Sequence, residues 1–218
     1  MAAFYATRGF VVVIPDYRLV PKAVFPQPAE DVRDALFWAI QNPDSLVSPT
    51  SPRPDLENVL MMGHSAGAAH IATMHLHPDV MKNCQELRSK IKGIILVSGP
   101  HDVHDVSPTS ADGEVYKLYW GSTQAAEKND PLHLCRDVPA EIGATLPHTL
   151  IVEGEFEPKW ILDGQVTFGA ALKAKSRRTV KKIVAHGHNH VSIVWAIGTQ
   201  EGEEWAFEVV NWYNSIKD

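Results

Sequence analysis

Short apolar runs alternate with longer amphipathic stretches along most of the chain. The runs are GFVVVIP at 9–15, NVLMMG at 58–63, IKGIILVSG at 91–99, HTLIVEG at 148–154 and TVKKIVA at 179–185. They are brief, rich in β-branched residues and apolar almost throughout, a pattern that predicts strands buried on both faces of a parallel sheet. The stretches between them carry a helical period. PAEDVRDALFWAIQN at 28–42 puts Val32, Ala35, Leu36, Ala39 and Ile40 on one face, acidic residues in its first turn, and a stop at Pro43. DGQVTFGAALKAK at 163–175 and EEWAFEVVNWYNSI at 203–216 carry similar stripes. Strand and helix alternate, so the predicted class is α/β, a mainly parallel sheet flanked by helices. PDSLVSPTSPRPDL at 43–56 reads as an exposed loop. No repeat or second composition regime interrupts the pattern. One domain over 1–218 is expected, with 100–147 as a less regular, cap-like insertion.

Composition narrows the partners. A chain of 218 residues with 44% hydrophobic content can bury a substantial core. Its net charge is -6, and the basic cluster KSRRTVKK, Lys175 to Lys182, has no interleaved aromatics. That cluster reads as a solvated helix end, so a small molecule and not a nucleic acid is the expected partner. Cys84 and Cys135 are too few to staple the fold, which fits a reducing, cytoplasmic setting. No apolar run reaches the roughly 18 residues of a membrane helix. MAAFYATRGFVVVIPDY at the N-terminus lacks a basic lead and a small-residue cleavage site, and reads as a strand, not a signal peptide. Oligomeric state leaves no trace in the pattern.

The chemistry concentrates on MMGHSAGAAH at 61–70. Gly63-His64-Ser65-Ala66-Gly67 follows an apolar strand and opens a small-residue helix, AAHIATMHL, the setting a nucleophile elbow requires. Ser65 is then expected in a strained turn, with Gly63 and Gly67 removing side chains that would collide as helix and strand approach. A serine hydroxyl also needs a base, and the base an acid. After the strand at 148–154 comes EFEPKW, offering Glu155 and Glu157; after the strand at 179–185 comes HGHNHVSI, offering His186, His188 and His190. Both loops fall at the C-terminal edge of the sheet, in the order serine, acid, histidine. The spacing H-x-H-x-H also admits a metal if alternate residues face one side of a strand, with HDVHD at 101–105 the nearest second cluster. Gly187 and Asn189 favour a loop, and no metal is expected. His75 and His77, on the helix after the elbow, read as core-edge or surface residues.

These residues resemble the α/β-hydrolase superfamily, in particular hormone-sensitive-lipase-like carboxylesterases and kynurenine-formamidase-like esterases. DYRLVPKAVFPQPAEDVRDALFWA at 16–39 is similar to the D-Y-R-L-x-P segment and later F-P that precede a helix there; GHSAGAAHIA is similar to the formamidase-like elbow. GEFEP is similar to a G-E-x-D turn and implies Glu157 as triad acid, while NHVSI implies His190 as base. Glutamate in place of aspartate is a departure that leaves Glu155 and Asp163 as alternatives. The resemblance implies the α/β-hydrolase fold, no cofactor, and hydrolysis of a carboxylic ester or an aryl formamide through an acyl-enzyme. Ala66 N–H would give one oxyanion donor. Tyr17, Trp120, Phe156 and Trp160 are candidates to line an acyl or alcohol pocket. The family's H-G-G loop, source of the second donor, has no counterpart here, nor has the strand leading into it, which lies between those matching 10–15 and 58–63. The chain therefore reads as N-terminally truncated, and a catalytically impaired hydrolase fold acting as a binding module is the second expectation.

Overall fold

The computed structural model describes residues 1–48 and 51–217. After a short helix α1 (Ala2–Ala6), α2 runs over Gln27–Gln41, followed by a 3-10 turn at Pro43–Leu46. Strand β1 (Val59–His64) leads into α3 (Ala66–Leu76), then α4 (Gln85–Lys90) and β2 (Ile91–Val97). The segment between β2 and the next strand holds α5 (Ala111–Trp120), α6 (Thr123–Asn129), α7 (Pro131–Asp137) and α8 (Ala140–Gly143). Here the polar punctuation sets the boundaries. Ser110, Ser122 and Asp130 each cap a helix by accepting a backbone N–H, and Gly121 closes α5 with a φ of 85°. Strand β3 (His148–Phe156), α9 (Lys159–Lys175), β4 (Val180–Asn189), α10 (Ser192–Trp195) and α11 (Glu204–Ile216) complete the order.

The strands pair in parallel in the order β1-β2-β3-β4. Alternation along the two central strands divides the core. Ile94, Leu96 and Ile151 face one side with α2, α3, α7 and α9; Ile95, Val97, Leu150 and Val152 face the other with α10 and α11. Each of these side chains is at most 2% exposed, so each contributes about 1.5–3 kcal/mol of burial. β2 and β3 are therefore strands covered on both faces, as their apolar runs imply. The edge strands β1 and β4 are only partly covered, and Lys181 and Lys182 of β4 face solvent.

Three expectations need correction. Residues 9–15 form no strand: 10–19 have no regular secondary structure, and Val12, Val13 and Ile14 are 36%, 43% and 76% exposed. The physical reason is the missing neighbour. β1 is the sheet edge on that side, and the segment lies beyond hydrogen-bonding register with it. The segment is held instead through Arg18, whose guanidinium grips the Asp31 carboxylate of α2 at 2.7–3.1 Å while its backbone N–H donates to the same group at 2.9 Å. That clamp keeps the Asp31 carboxyl below the usual carboxylate range. Next, β4 continues through HGHN, so His186 and His188 sit on a strand and not in a loop. Finally, His75 is a core residue at 1% exposure, enclosed with both ring nitrogens unpartnered. His77 stays half-buried against Phe25, with ring centroids 5.4 Å apart. In the 43–56 loop, residues 49 and 50 lie outside the described residues.

Candidate active site

Ser65 is the hinge between β1 and α3. Its φ of 54° and ψ of -122° lie in a region that costs an ordinary side chain about 1–3 kcal/mol. The strain is anchored on one side by Ser65 N–H, which donates to Val97 O at 2.9 Å, one step past the end of the ladder. Gly63 makes the sharp turn possible, because a Cβ there would sit 2.4 Å from the Gly67 carbonyl carbon. Gly67 does not fill the expected role. A Cβ at 67 would meet nothing within 4 Å, so helix-strand packing does not require glycine there.

The parallel sheet delivers two further side chains to the same edge. His190 follows β4, and its Nε2 lies 2.9 Å from Ser65 Oγ. Its Nδ1 lies 2.8 Å from Glu157 Oε2, beyond the end of β3. A carboxylate only accepts, so His190 Nδ1 donates to Glu157, and the Nε2 lone pair is left to accept the Ser65 hydroxyl proton. The Glu157 side chain is fully buried, and its Oε1 has no partner. Gly154 lets these strands approach: a Cβ there would press 2.8 Å against His188 O and 3.2 Å against Glu157 Oε1. The Ala66 amide occupies the first position of α3, where helices leave N–H groups without an intrahelical acceptor.

The alternatives are engaged elsewhere. Glu155 accepts from Gly187 N–H at 2.9 Å and neighbours the exposed His186. Asp163 pairs with Lys159, one turn earlier on α9. His188 turns into the fold, with Nε2 2.5 Å from Gly202 O and Nδ1 3.2 Å from Ser192 Oγ. The three imidazoles therefore diverge, because a register shift between Gly154 and Phe156 breaks the alternation. Among the described residues no His, Cys, Asp and Glu side chains gather in a metal-holding group. Of the HDVHD run, His101 is buried against Gln165 and stacked on Phe168. The basic cluster splits between the end of α9 and β4, where Lys182 pairs with Glu153.

Of the four pocket candidates, three share one aromatic chain. Tyr17 packs edge-on against His70, His70 against Tyr119, Tyr119 against Trp120, and Tyr116 bridges Trp120 to Trp160. Phe156, 64% exposed at the end of β3, stands outside it. Sequence reasoning missed Tyr116 and Tyr119, on the covered face of α5, and it missed His64. The His64 ring sits 4.8 Å from the His190 ring, and burial, then the neighbouring His190, hold it below the usual histidine range.

A four-stranded parallel sheet covered by helices on both sides, with a serine on a strained strand-to-helix turn, defines a class of protein. A profile of the alpha/beta hydrolase fold family matches residues 2–194, and the chain belongs to that family. Over 74 residues, 32% of the chain, it is 36% identical to the probable carboxylesterase M8 of Phoma sp., of which it covers 23%. In fold it is similar to an esterase of Pyrobaculum calidifontis, with a TM-score of 0.69 at 20% identity over 93% of this chain and 64% of that one. A Rhizomucor miehei esterase aligns with a TM-score of 0.71 at 21% identity over 92% of this chain and 63% of that one. The chain thus spans less than two thirds of these esterases' length, and at such identities the likeness carries the fold alone. Among the described residues no helix is long and apolar enough to cross a membrane.

Proposed function

We propose that the chain is a serine hydrolase that cleaves a carboxylic ester of a small or medium acyl group through an acyl-enzyme. The observation that carries this reading is the unbroken line from Ser65 Oγ through the His190 ring to Glu157. Ser65 Oγ attacks the carbonyl carbon as its proton passes to His190 Nε2, and the carbonyl electrons move onto oxygen. The buried Glu157 carboxylate steadies the imidazolium. Ala66 N–H donates to the oxyanion, a kind of contact worth about 100- to 1,000-fold in rate. His190 then protonates the leaving alcohol, and water, deprotonated by the same nitrogen, releases the acid and restores Ser65. The relatives named as esterases and carboxylesterases support ester cleavage.

The same three groups would open an aryl formamide, and the resemblance of the GHSAG elbow to formamidases keeps that substrate as the second reading. The test measures p-nitrophenyl acetate and butyrate hydrolysis by the 218-residue chain beside Ser65→Ala. Turnover should fall by at least about 1,000-fold in the variant; equal rates, with no fluorophosphonate adduct at Ser65, would overturn the proposal. Turnover of N-formylkynurenine well above that of both esters would select the formamide reading.

A further inference from the structure

His64 and Ser65 are neighbours on the elbow, and both reach residue 190. Ser65 Oγ meets its ring at Nε2, whereas the His64 Nε2 lies 2.8 Å from the His190 backbone oxygen. A carbonyl oxygen only accepts, so His64 donates, which fixes its Nε2-protonated form. Glu157 adds the third grip, at Nδ1. Resting on the hydrolase reading, we infer that His64 is a positioning residue that locks the main chain of the base to the elbow carrying the nucleophile.

The geometry explains why such a lock is needed. His190 lies at the turn that follows an edge strand; Asn189 Oδ1 accepts from the N–H groups of Val191 and Ser192, and Ile193 is buried in the core with its oxygen accepting from Trp205 Nε1. Those contacts hold the residues around 190, whereas the His64 bond is made to the His190 main chain itself. His64 ties it across 126 positions of sequence to the last residue of β1, next to the strained Ser65. With the His190 oxygen held at His64 and its ring held at Glu157, the imidazole has two fixed points, and the Ser65 distance follows. Without His64, the ring keeps its contacts at Nδ1 and Nε2 but its main chain loses the tie to the elbow. A misplacement of about 1 Å at a reacting atom can cost on the order of 100-fold in rate.

The test compares the full chain with His64→Ala and His64→Gln, whose amide can donate to the same oxygen. We expect kcat for p-nitrophenyl butyrate to drop about 10- to 100-fold in the alanine variant, with KM little changed and the rate largely restored by glutamine. The downfield proton resonance of the His190 Nδ1–H bonded to Glu157 should be lost or broadened in His64→Ala and retained in His64→Gln. Retention of both kcat and that resonance in His64→Ala would overturn the inference, as would a glutamine variant impaired as deeply as alanine. Ser65→Ala run alongside separates the two claims. If it turns over substrate as fast as wild type, the hydrolase reading fails, while the resonance still decides whether His64 positions the ring.

Discussion

Glu157 shows what a single residue contributes beyond its charge. Its carboxylate is removed from water with one oxygen on His190 Nδ1 and the other without a partner, an arrangement that is costly at rest. In the proposed mechanism, that buried anion complements the positive charge that forms on the imidazole when Ser65 is deprotonated. Glu157→Gln is therefore expected to lower kcat by about 1,000- to 10,000-fold, since an amide N–H turned toward Nδ1 selects the wrong tautomer. Its melting temperature should hold or rise, because a buried charge has been removed; kinetics and a thermal melt on one preparation check both. The turn at Ser65 was legible because Gly63 and the flanking apolar run mark a strand-to-helix junction. Glu157 could be separated from Glu155, and His190 from His186 and His188, only through the family pattern. The structural reason is the irregularity beside Gly154, where β4 runs from Ala185 to Asn189 while β3 runs only from Gly154 to Phe156, a bulge that leaves no mark in hydropathy. His64 gave no signal at all: its partner is a main-chain oxygen, which every residue possesses.

At the level of elements, hydropathy located β2, β3, α2 and α11 to within a residue or two at most ends. It failed at residues 9–15 for a definite reason. β-branched runs state what a segment would bury if a neighbour were present, and strand formation depends on the ladder partner as much as on propensity. Here β1 ends the sheet, so Val12, Val13 and Ile14 lie exposed while Phe10 packs against Tyr5 and Tyr213. Ile14→Ser should accordingly change unfolding free energy by no more than about 0.5 kcal/mol in urea titrations, whereas the loss expected from a buried strand position is several times larger. A large loss would mean that 10–15 is covered in solution. α9 shows the milder error: its helix begins at Lys159, before the predicted 163, because Pro158 precedes the first turn and Ile161 adds an earlier core contact.

For the whole molecule, three histidines enclosed in the fold set its response to acid. Burial pushes His70 down to about 4, and His75 and His101 down to about 3. The unfolded chain, with histidines near their ordinary value of about 6.5, binds more protons than the native one between those limits. Stability is therefore fully present above about pH 6.5, falls as pH drops through the window, and levels off once the folded-state values are passed. Each such histidine changes the folding equilibrium by roughly tenfold per pH unit inside it. Urea midpoints between about pH 7.5 and 4.5 should show this slope, and His75→Leu should reduce proton uptake on unfolding by about one. A slope unchanged by that substitution would mean His75 is already protonated in the fold. The strand order has a consequence of another kind. Because β1, β2, β3 and β4 lie side by side in the order in which a ribosome makes them, the sheet can grow by adding each strand to the edge of the last. Ser65 emerges 125 residues before His190, so a nascent chain carries the proposed nucleophile without the proposed base over that stretch of synthesis. Under the proposed mechanism the serine stays without a base until the residues after β4 dock, and a chain stopped before His190 is expected to be inert.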